Sequence, residues 1–309
     1  MRLPVCRAAE IPRKPEDQRW LIEELWAEEG VGIVGGEPKC GKSFLALELA
    51  VSVASGAPAL GRFPVRRPGP VLLFAAEDPL HVVRERLEAI AEAADVDFDT
   101  LDVHVITQPS LRLDFDHDQK GLHHSVEALK PRLLILDPFV RLHRIDENQA
   151  GEVAPLLASL RTLQRRLHSA VLLVHHARKG GGRLRPGQAL RGSSELHAWG
   201  DSNLYLHRGR DTLTLRVEHR AAPSPAELTL ELRGAAGLAL RSTRPAAPPP
   251  VPPDPAQRIC AALASAATPL SRAELRALCR MRTQTLAQVL AELTARHIVV
   301  QRDGRYALA

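Results

Sequence analysis

Aromatic side chains are scarce in this sequence: Phe, Tyr and Trp make up 4% of its 309 residues. A core must therefore be assembled from Leu, Val, Ala and Ile. No uninterrupted apolar run reaches the ~18 residues that a membrane span needs. The first residues, MRLPVCRAAEIPRKPEDQRW, lack the apolar centre of a secretory signal. Both absences lead to the expectation of a cytoplasmic protein with no membrane partner. Cysteine is sparse too. Cys6, Cys40, Cys260 and Cys279 are too widely spaced for a metal knuckle or a CxxC pair, and read as reduced structural thiols. Lysine is missing from residues 258–309, which hold eight Arg against three acids. That segment carries the whole formal surplus of +5, and the rest of the chain is neutral. A small basic module on a neutral body suits an anionic partner, nucleic acid first, although an Arg-rich surface also serves solubility alone.

Proline is concentrated in RSTRPAAPPPVPPDPA, residues 241–256, which excludes helix and inner strand and predicts a semi-rigid spacer. Before it, apolar runs alternate with helical patterns: VGIVG (31–35), KSFLALELAVSVAS (42–55), GPVLLFAAED (69–78), LHVVRERLEAIAEAA (80–94), VHVIT (103–107), RLLILD (132–137), GEVAPLLASLRTLQRRLH (151–168) and AVLLVHH (170–176). Pro155 is tolerable in the last helix only within its first turn. Continuous apolar strands between helices predict an α/β fold, a parallel sheet covered on both faces. After Gly200 the segments NLYLHR, TLTLRVEH, ELTLELR and LALRS alternate, and predict antiparallel strands extending that sheet. In the tail, three short helices precede IVVQRDGRYALA, a hairpin around Asp303-Gly304. Ser271 and Glu274 are spaced as a capping box for the second helix. This layout resembles a winged helix-turn-helix. The expected division is an N-terminal arm and leading helix (1–29), the α/β domain (30–242), a Pro-rich linker (243–256) and the winged-helix domain (257–309).

Gly36-Glu37-Pro38-Lys39-Cys40-Gly41-Lys42-Ser43 fits G-x-x-x-x-G-K-[ST], with a strand before it and a helix, opening on Phe44, after it. Such a loop turns backbone N–H groups onto phosphates at a helix N-terminus. Lys42 is expected on the β- and γ-phosphates of ATP, and Ser43 on Mg²⁺. Lys39 and Cys40 occupy variable positions, read as solvent-facing or passive. Asp137 ends an apolar strand, as a Mg²⁺-side acid must. Glu77 and Asp78 end another; Glu77 is assigned as the base that orients water, and Asp78 as a supporting acid or second candidate beside the metal. His175 and His176 cannot point the same way from a strand, so one of them can face the γ-phosphate. The segment ARKGGGRLRPGQALRG (177–192) has five glycines and five basic residues, suited to nucleic-acid phosphates through Arg178, Lys179, Arg183 and Arg185. In the tail, Arg282 and Gln284 open the third helix, where a recognition helix meets DNA, and Arg302 sits on the wing. Winged helices also serve protein contacts.

Together GEPKCGKSFLALELA, VLLFAAEDP with RERL, LLILDPFVRLHRIDENQ, VLLVHHARKGG and LRGSSEL resemble the RepA-like plasmid replicative helicases, within the RecA-like ATPase class. The resemblance covers roughly residues 30–200. It implies a hexameric ring ATPase with single-stranded DNA in its central channel. It also implies a phosphate-facing role for Arg86 and the sensor role for His176. Where that family carries an arginine finger, this sequence has Asp201; the nearest substitutes are Arg208, the one assigned, and Arg210. The appended winged helix, a place for duplex DNA, is a second departure. An ATP-driven motor on DNA is therefore the first reading, and an ATP-controlled DNA-binding regulator the alternative.

Overall fold

The computed structural model describes residues 3–15, 18–176, 194–210, 212–233, 239–242, 255–266, 268–279, 283–302 and 304–308. They fall into two compact units, Met1–Ala246 and Ala247–Ala309. The larger unit runs β1 (Trp20–Ile22), β2 (Trp26–Ala27), β3 (Val31–Gly36), α1 (Lys42–Ser55), β4 (Val71–Ala75), α2 (Leu80–Ala93), β5 (Val103–Val105) and α3 (Asp116–Leu129). It continues with β6 (Leu133–Asp137), α4 (Ala150–Leu167), β7 (Ala170–His176), α5 (Ser194–Trp199), β8 (Ser202–Arg208), β9 (Leu213–His219), β10 (Leu228–Arg233) and β11 (Ala239–Ser242).

Nine of these strands make one sheet, ordered β11-β10-β9-β8-β3-β7-β6-β4-β5. The strands from β8 to β5 pair in parallel, and β9, β10 and β11 extend the sheet antiparallel. The fold class is therefore the one the alternating pattern predicts. The apolar runs are continuous because each strand feeds two cores. On β6, Leu133 and Ile135 join the cluster under α1 and α2, while Leu134 and Leu136 join the cluster under α3 and α4. Side chains alternate faces with period two, so burial on both faces demands an unbroken apolar strand. On β9, only Leu213, Leu215 and Val217 are buried, and polar residues stand between them. Helix α1 is buried nearly all round, from Leu45 to Val53, which explains its apolar residues on most faces.

Three expectations fail. There is no leading helix among the described residues before Gly30: residues 20–27 form the β1–β2 hairpin, preceded by a single 3-10 turn at Ala8–Glu10. Glu24 takes a left-handed φ of 58°, which ends any helix there. The backbone partners come from far away: Glu23 N–H bonds Pro64 O, and Arg66 N–H bonds Leu21 O. The hairpin buries Leu21, Ile22, Leu25 and Trp26, and long-range burial overrides local propensity. Second, α3 lies in a stretch assigned no element from sequence. It carries Gly121 and three His, and buries only Leu122 and Val126. Third, Pro155 lies in the second turn of α4, not the first, on its exposed side.

The smaller unit contains α6 (Pro255–Ala264), β12 (Leu270–Ser271), α7 (Arg272–Cys279), α8 (Thr283–Ala295), β13 (Val299–Arg302) and β14 (Arg305–Leu308). Its three strands pair antiparallel in the order β12-β14-β13 around a core that includes Ile259, Leu275, Leu286, Leu290 and Tyr306. The capping box forms: Glu274 N–H donates to Ser271 Oγ at 3.3 Å, and Ser271 N–H to Glu274 Oε2 at 2.7 Å. Residues 243–254 of the expected linker lie outside the described residues. Among the described residues no helix is long and apolar enough to cross a membrane.

Asp201, just before β8, ties the far end of the sheet together. Its carboxylate accepts from Val31 N–H at 3.1 Å and from the Arg161 guanidinium on α4. Both side chains are largely shielded, 19% exposed for Arg161 and 24% for Asp201. Asp201→Ala should therefore cost about 2 kcal/mol, between the ~1 of exposed pairs and the ~3–5 of buried ones. Urea denaturation measures this; a change below ~0.5 kcal/mol would show that the pair does not hold the fold.

Candidate functional site

The phosphate loop leaves the central strand. β3 lies between β7 and β8, with Gly36 opposite both His176 and Leu206. The loop turns and enters α1 at Lys42. Two glycines make this possible. A Cβ on Gly36 would stand 2.6 Å from Leu206 O and 2.7 Å from Cys40 Sγ, so no side chain fits. Gly41 has φ 99°, a conformation that side chains disfavour. No side chain caps the start of α1, so its first N–H groups are left for a ligand.

An open cleft of about 470 Å³ lies over this loop, at the carboxyl ends of the parallel strands. That is where open α/β sheets bind ligands. Lys39, Gly41, Lys42, Ser43, Phe44, Glu77, Asp78, Arg86, Asp137, His176 and Arg208 all line it, together with Val174 and Leu213. The sequence-assigned residues of the two neighbouring strands and of the loop thus converge. Glu37 and Pro38 belong to the loop without lining the cleft. Cys40 departs from expectation: it is not solvent-facing but 1% exposed, packed in the core beneath the loop. Burial pushes its thiol up, with Lys42 and Arg208 pulling the other way.

The charges in the cleft are held under tension. Lys42 is buried, and its Nζ donates to Glu37 O at 2.8 Å. Burial lowers its pKa, opposed by Cys40, Asp137 and Glu77. The Asp137 carboxyl is pushed up to about 6, first by burial, with Asp78 and Glu77 adding to the rise and a Ser43 hydrogen bond and Lys42 opposing it. Ser43 and Asp137 are thus paired hard oxygen donors, a set that fits Mg²⁺ and its preference for one or two protein ligands plus phosphate and water. Asp78 is held by Arg86, whose guanidinium stacks 5.0 Å above the Phe44 ring.

The two histidines separate as the strand geometry requires. His176 reaches the cleft; burial lowers its pKa first, then Lys42. His175 turns to the other face, 1% exposed, against Phe139 and 3.9 Å from Glu147, which also lies 3.3 Å from buried His143. This buried group behind the cleft was not foreseen. Neither was Arg141, whose Nε donates to Glu77 Oε1 at 2.9 Å. A basic residue four places beyond Asp137 was the available signal. The expected DNA contacts Arg178, Lys179, Arg183, Arg185 and Arg282 lie outside the described residues, as do the side chains of Gln284 and Arg302.

A parallel sheet with this loop on its central strand, an acid ending β6, acids following β4 and an antiparallel extension defines a RecA-like P-loop ATPase domain. The chain belongs to the AAA domain family AAA_25, whose model matches residues 1–182. Among solved structures it is similar to the ATPase domain of a helicase, at 13% identity and TM-score 0.54 over 70% of this chain and 86% of that one. It is also similar to the RadB recombinase, at 16% identity and TM-score 0.52 over 70% of this chain and 92% of that one. At these identities the likeness is one of fold.

The raised Asp137 pKa has a definite sign. The ordinary value is 3.8, so the folded protein binds this proton more tightly than the unfolded chain. The stability this contributes is complete below pH ~4 and is lost as pH rises through about 6. Across that window the ligand-free protein should lose up to about 3 kcal/mol relative to Asp137→Asn. Urea midpoints of both proteins at about pH 4 and pH 7 check this; parallel pH profiles would refute it.

Proposed function

We propose that this chain hydrolyses ATP to act on DNA as a motor, in the manner of the RepA-like ring helicases. One observation carries the reading. Lys42, Ser43, Glu77, Asp137 and His176 come from four different segments and meet in one cleft at the phosphate loop. In this reading the loop N–H groups and Lys42 hold the triphosphate, with Lys42 exchanging its bond to Glu37 O for phosphate oxygens. Ser43 and Asp137, supported by Asp78, would hold Mg²⁺, which supplies charge neutralisation at the β- and γ-phosphates. Glu77 orients the attacking water. His176, kept neutral by its surroundings, reports whether the γ-phosphate is present. It ends β7, directly before the basic segment 177–193 that we assign to single-stranded DNA. The smaller unit is read as a winged helix with α8 as its recognition helix, for duplex DNA or a protein partner.

The alternative is an ATP-controlled DNA-binding regulator that does not unwind. Asp201 favours it. It stands where RepA-like helicases carry their finger, and here it serves the fold instead, bound by Val31 and Arg161. Arg208 is the remaining candidate finger, and it lines the cleft of its own chain. In a hexamer it would act on a neighbour.

Purified protein should show ATPase activity that single-stranded DNA stimulates, that Lys42→Ala reduces at least about a hundredfold, and that accompanies assembly into a ring seen by mass measurement with ATP. A protein that stays monomeric with ATP and DNA is incompatible with the motor. Mixing Arg208→Ala with Lys42→Ala protein tests the finger. Regained activity places Arg208 in trans; none places it on its own nucleotide.

A further inference from the structure

Glu77 does not stand free in the cleft. One of its carboxylate oxygens accepts the 2.9 Å hydrogen bond from Arg141 Nε. Arg141 closes a single 3-10 turn, Phe139–Arg141, directly after Asp137. The strand that carries the metal-side acid therefore also carries a cation that reaches across to the acid of the next strand. That bond occupies a lone-pair direction on Glu77 and fixes its side chain toward the turn.

Contrast with the neighbouring acid shows what kind of contact this is. Asp78 is held by Arg86, whose guanidinium is itself pinned on Phe44, and these partners are 30% and 23% exposed. The Arg141–Glu77 pair stands open, 62% and 44% exposed. An exposed ion pair of this kind shifts a conformational equilibrium only about two- to fivefold. Such a pair restrains and is readily opened by a better anion. For a guanidinium, that anion is phosphate, which it binds through two parallel N–H bonds. Two sources fit: the γ-phosphate of the bound nucleotide, and the backbone of a nucleic acid at the cleft rim.

We propose that Arg141 is a positioning residue that holds Glu77 away from the attacking water, and that a phosphate group drawing Arg141 off releases it. The proposal rests on the reading of Glu77 as the base. It predicts a gain rather than a loss, which a damaged fold does not produce.

The test is steady-state ATPase of the full chain with and without single-stranded oligothymidylate, for the natural protein and for Arg141→Gln, Arg141→Lys and Glu77→Gln. Arg141→Gln should raise the DNA-free kcat about two- to fivefold, the ratio an exposed pair provides, with KM for ATP unchanged. Arg141→Lys should restore the low rate. If stimulation by oligothymidylate shrinks toward none in Arg141→Gln, nucleic-acid phosphate is the releasing group. If the raised rate is still stimulated as strongly as in the natural protein, the nucleotide's own phosphate is. An Arg141→Gln rate equal to or below the natural one overturns the proposal. A Glu77→Gln protein that keeps its turnover overturns instead the assignment of the base, and the restraint with it.

Discussion

The close approach at Gly36 is the contact on which the rest of the site depends. β3 can run between β7 and β8 and still turn sharply into α1 only because no Cβ stands between Leu206 O and Cys40 Sγ. Cys40 is part of the same device: its side chain fills the space beneath the loop and so supports the turn from the core side. Move β3 outward by the width of a methyl group and three things shift together. The N–H groups at the start of α1 lose their aim, Lys42 leaves Glu37 O, and Ser43 leaves Asp137. The chemistry of the cleft is thus placed by backbone packing, and its side chains are passengers of a rigid parallel sheet.

That placement has an electrostatic cost, borne by the empty cleft. Lys42 is desolvated and Asp137 holds its proton to about pH 6. Each is a group whose charged form is disfavoured until a ligand arrives. A triphosphate supplies the anion that Lys42 lacks, and a divalent cation supplies the charge that Asp137 lacks. Binding then relieves both penalties at once, which couples ligand affinity to the stability of the fold. A site that is uncomfortable when empty is the expected partner of a ligand carrying both signs of charge.

Much of this was readable in the sequence, and the failures have a common cause. The strands on either side of the loop are doubly buried, so their apolar runs are unbroken and unmistakable, and the glycines, Lys42, Asp137 and the two histidines follow from them. The β1–β2 hairpin was not readable, because WLIEELWAEE satisfies a helical spacing as well as a strand one. Its partners at Pro64 and Arg66 are some forty residues away in sequence. Helix α3 was hidden by Gly121 and by a buried face of only two residues. The roles of Cys40 and Arg141 depend on which way a turn folds back, and turn direction is set by tertiary contacts that local pattern does not contain.

The two ends of β8 decide how the finger question must be posed. Asp201 sits at its amino end and Arg208 at its carboxyl end, so about 23 Å of extended strand separates them. Because β8 runs parallel to β3, the phosphate loop is at the Arg208 end. Asp201 is thus a whole sheet's height from its own nucleotide, on the edge where it bonds Val31 N–H at the start of β3. Replacing an arginine there removes nothing from the chain's own cleft; it removes only what that edge could present to another subunit. In its place the fold gains an internal brace through Arg161. A chain that converts an outward-reaching cation into an inward-facing anchor, while keeping a second arginine beside its own phosphate loop, has moved control of its nucleotide toward its own residues. Arg141 on Glu77 belongs to the same pattern: the catalytic acid is governed from within the subunit, by the turn that follows its own metal-side strand.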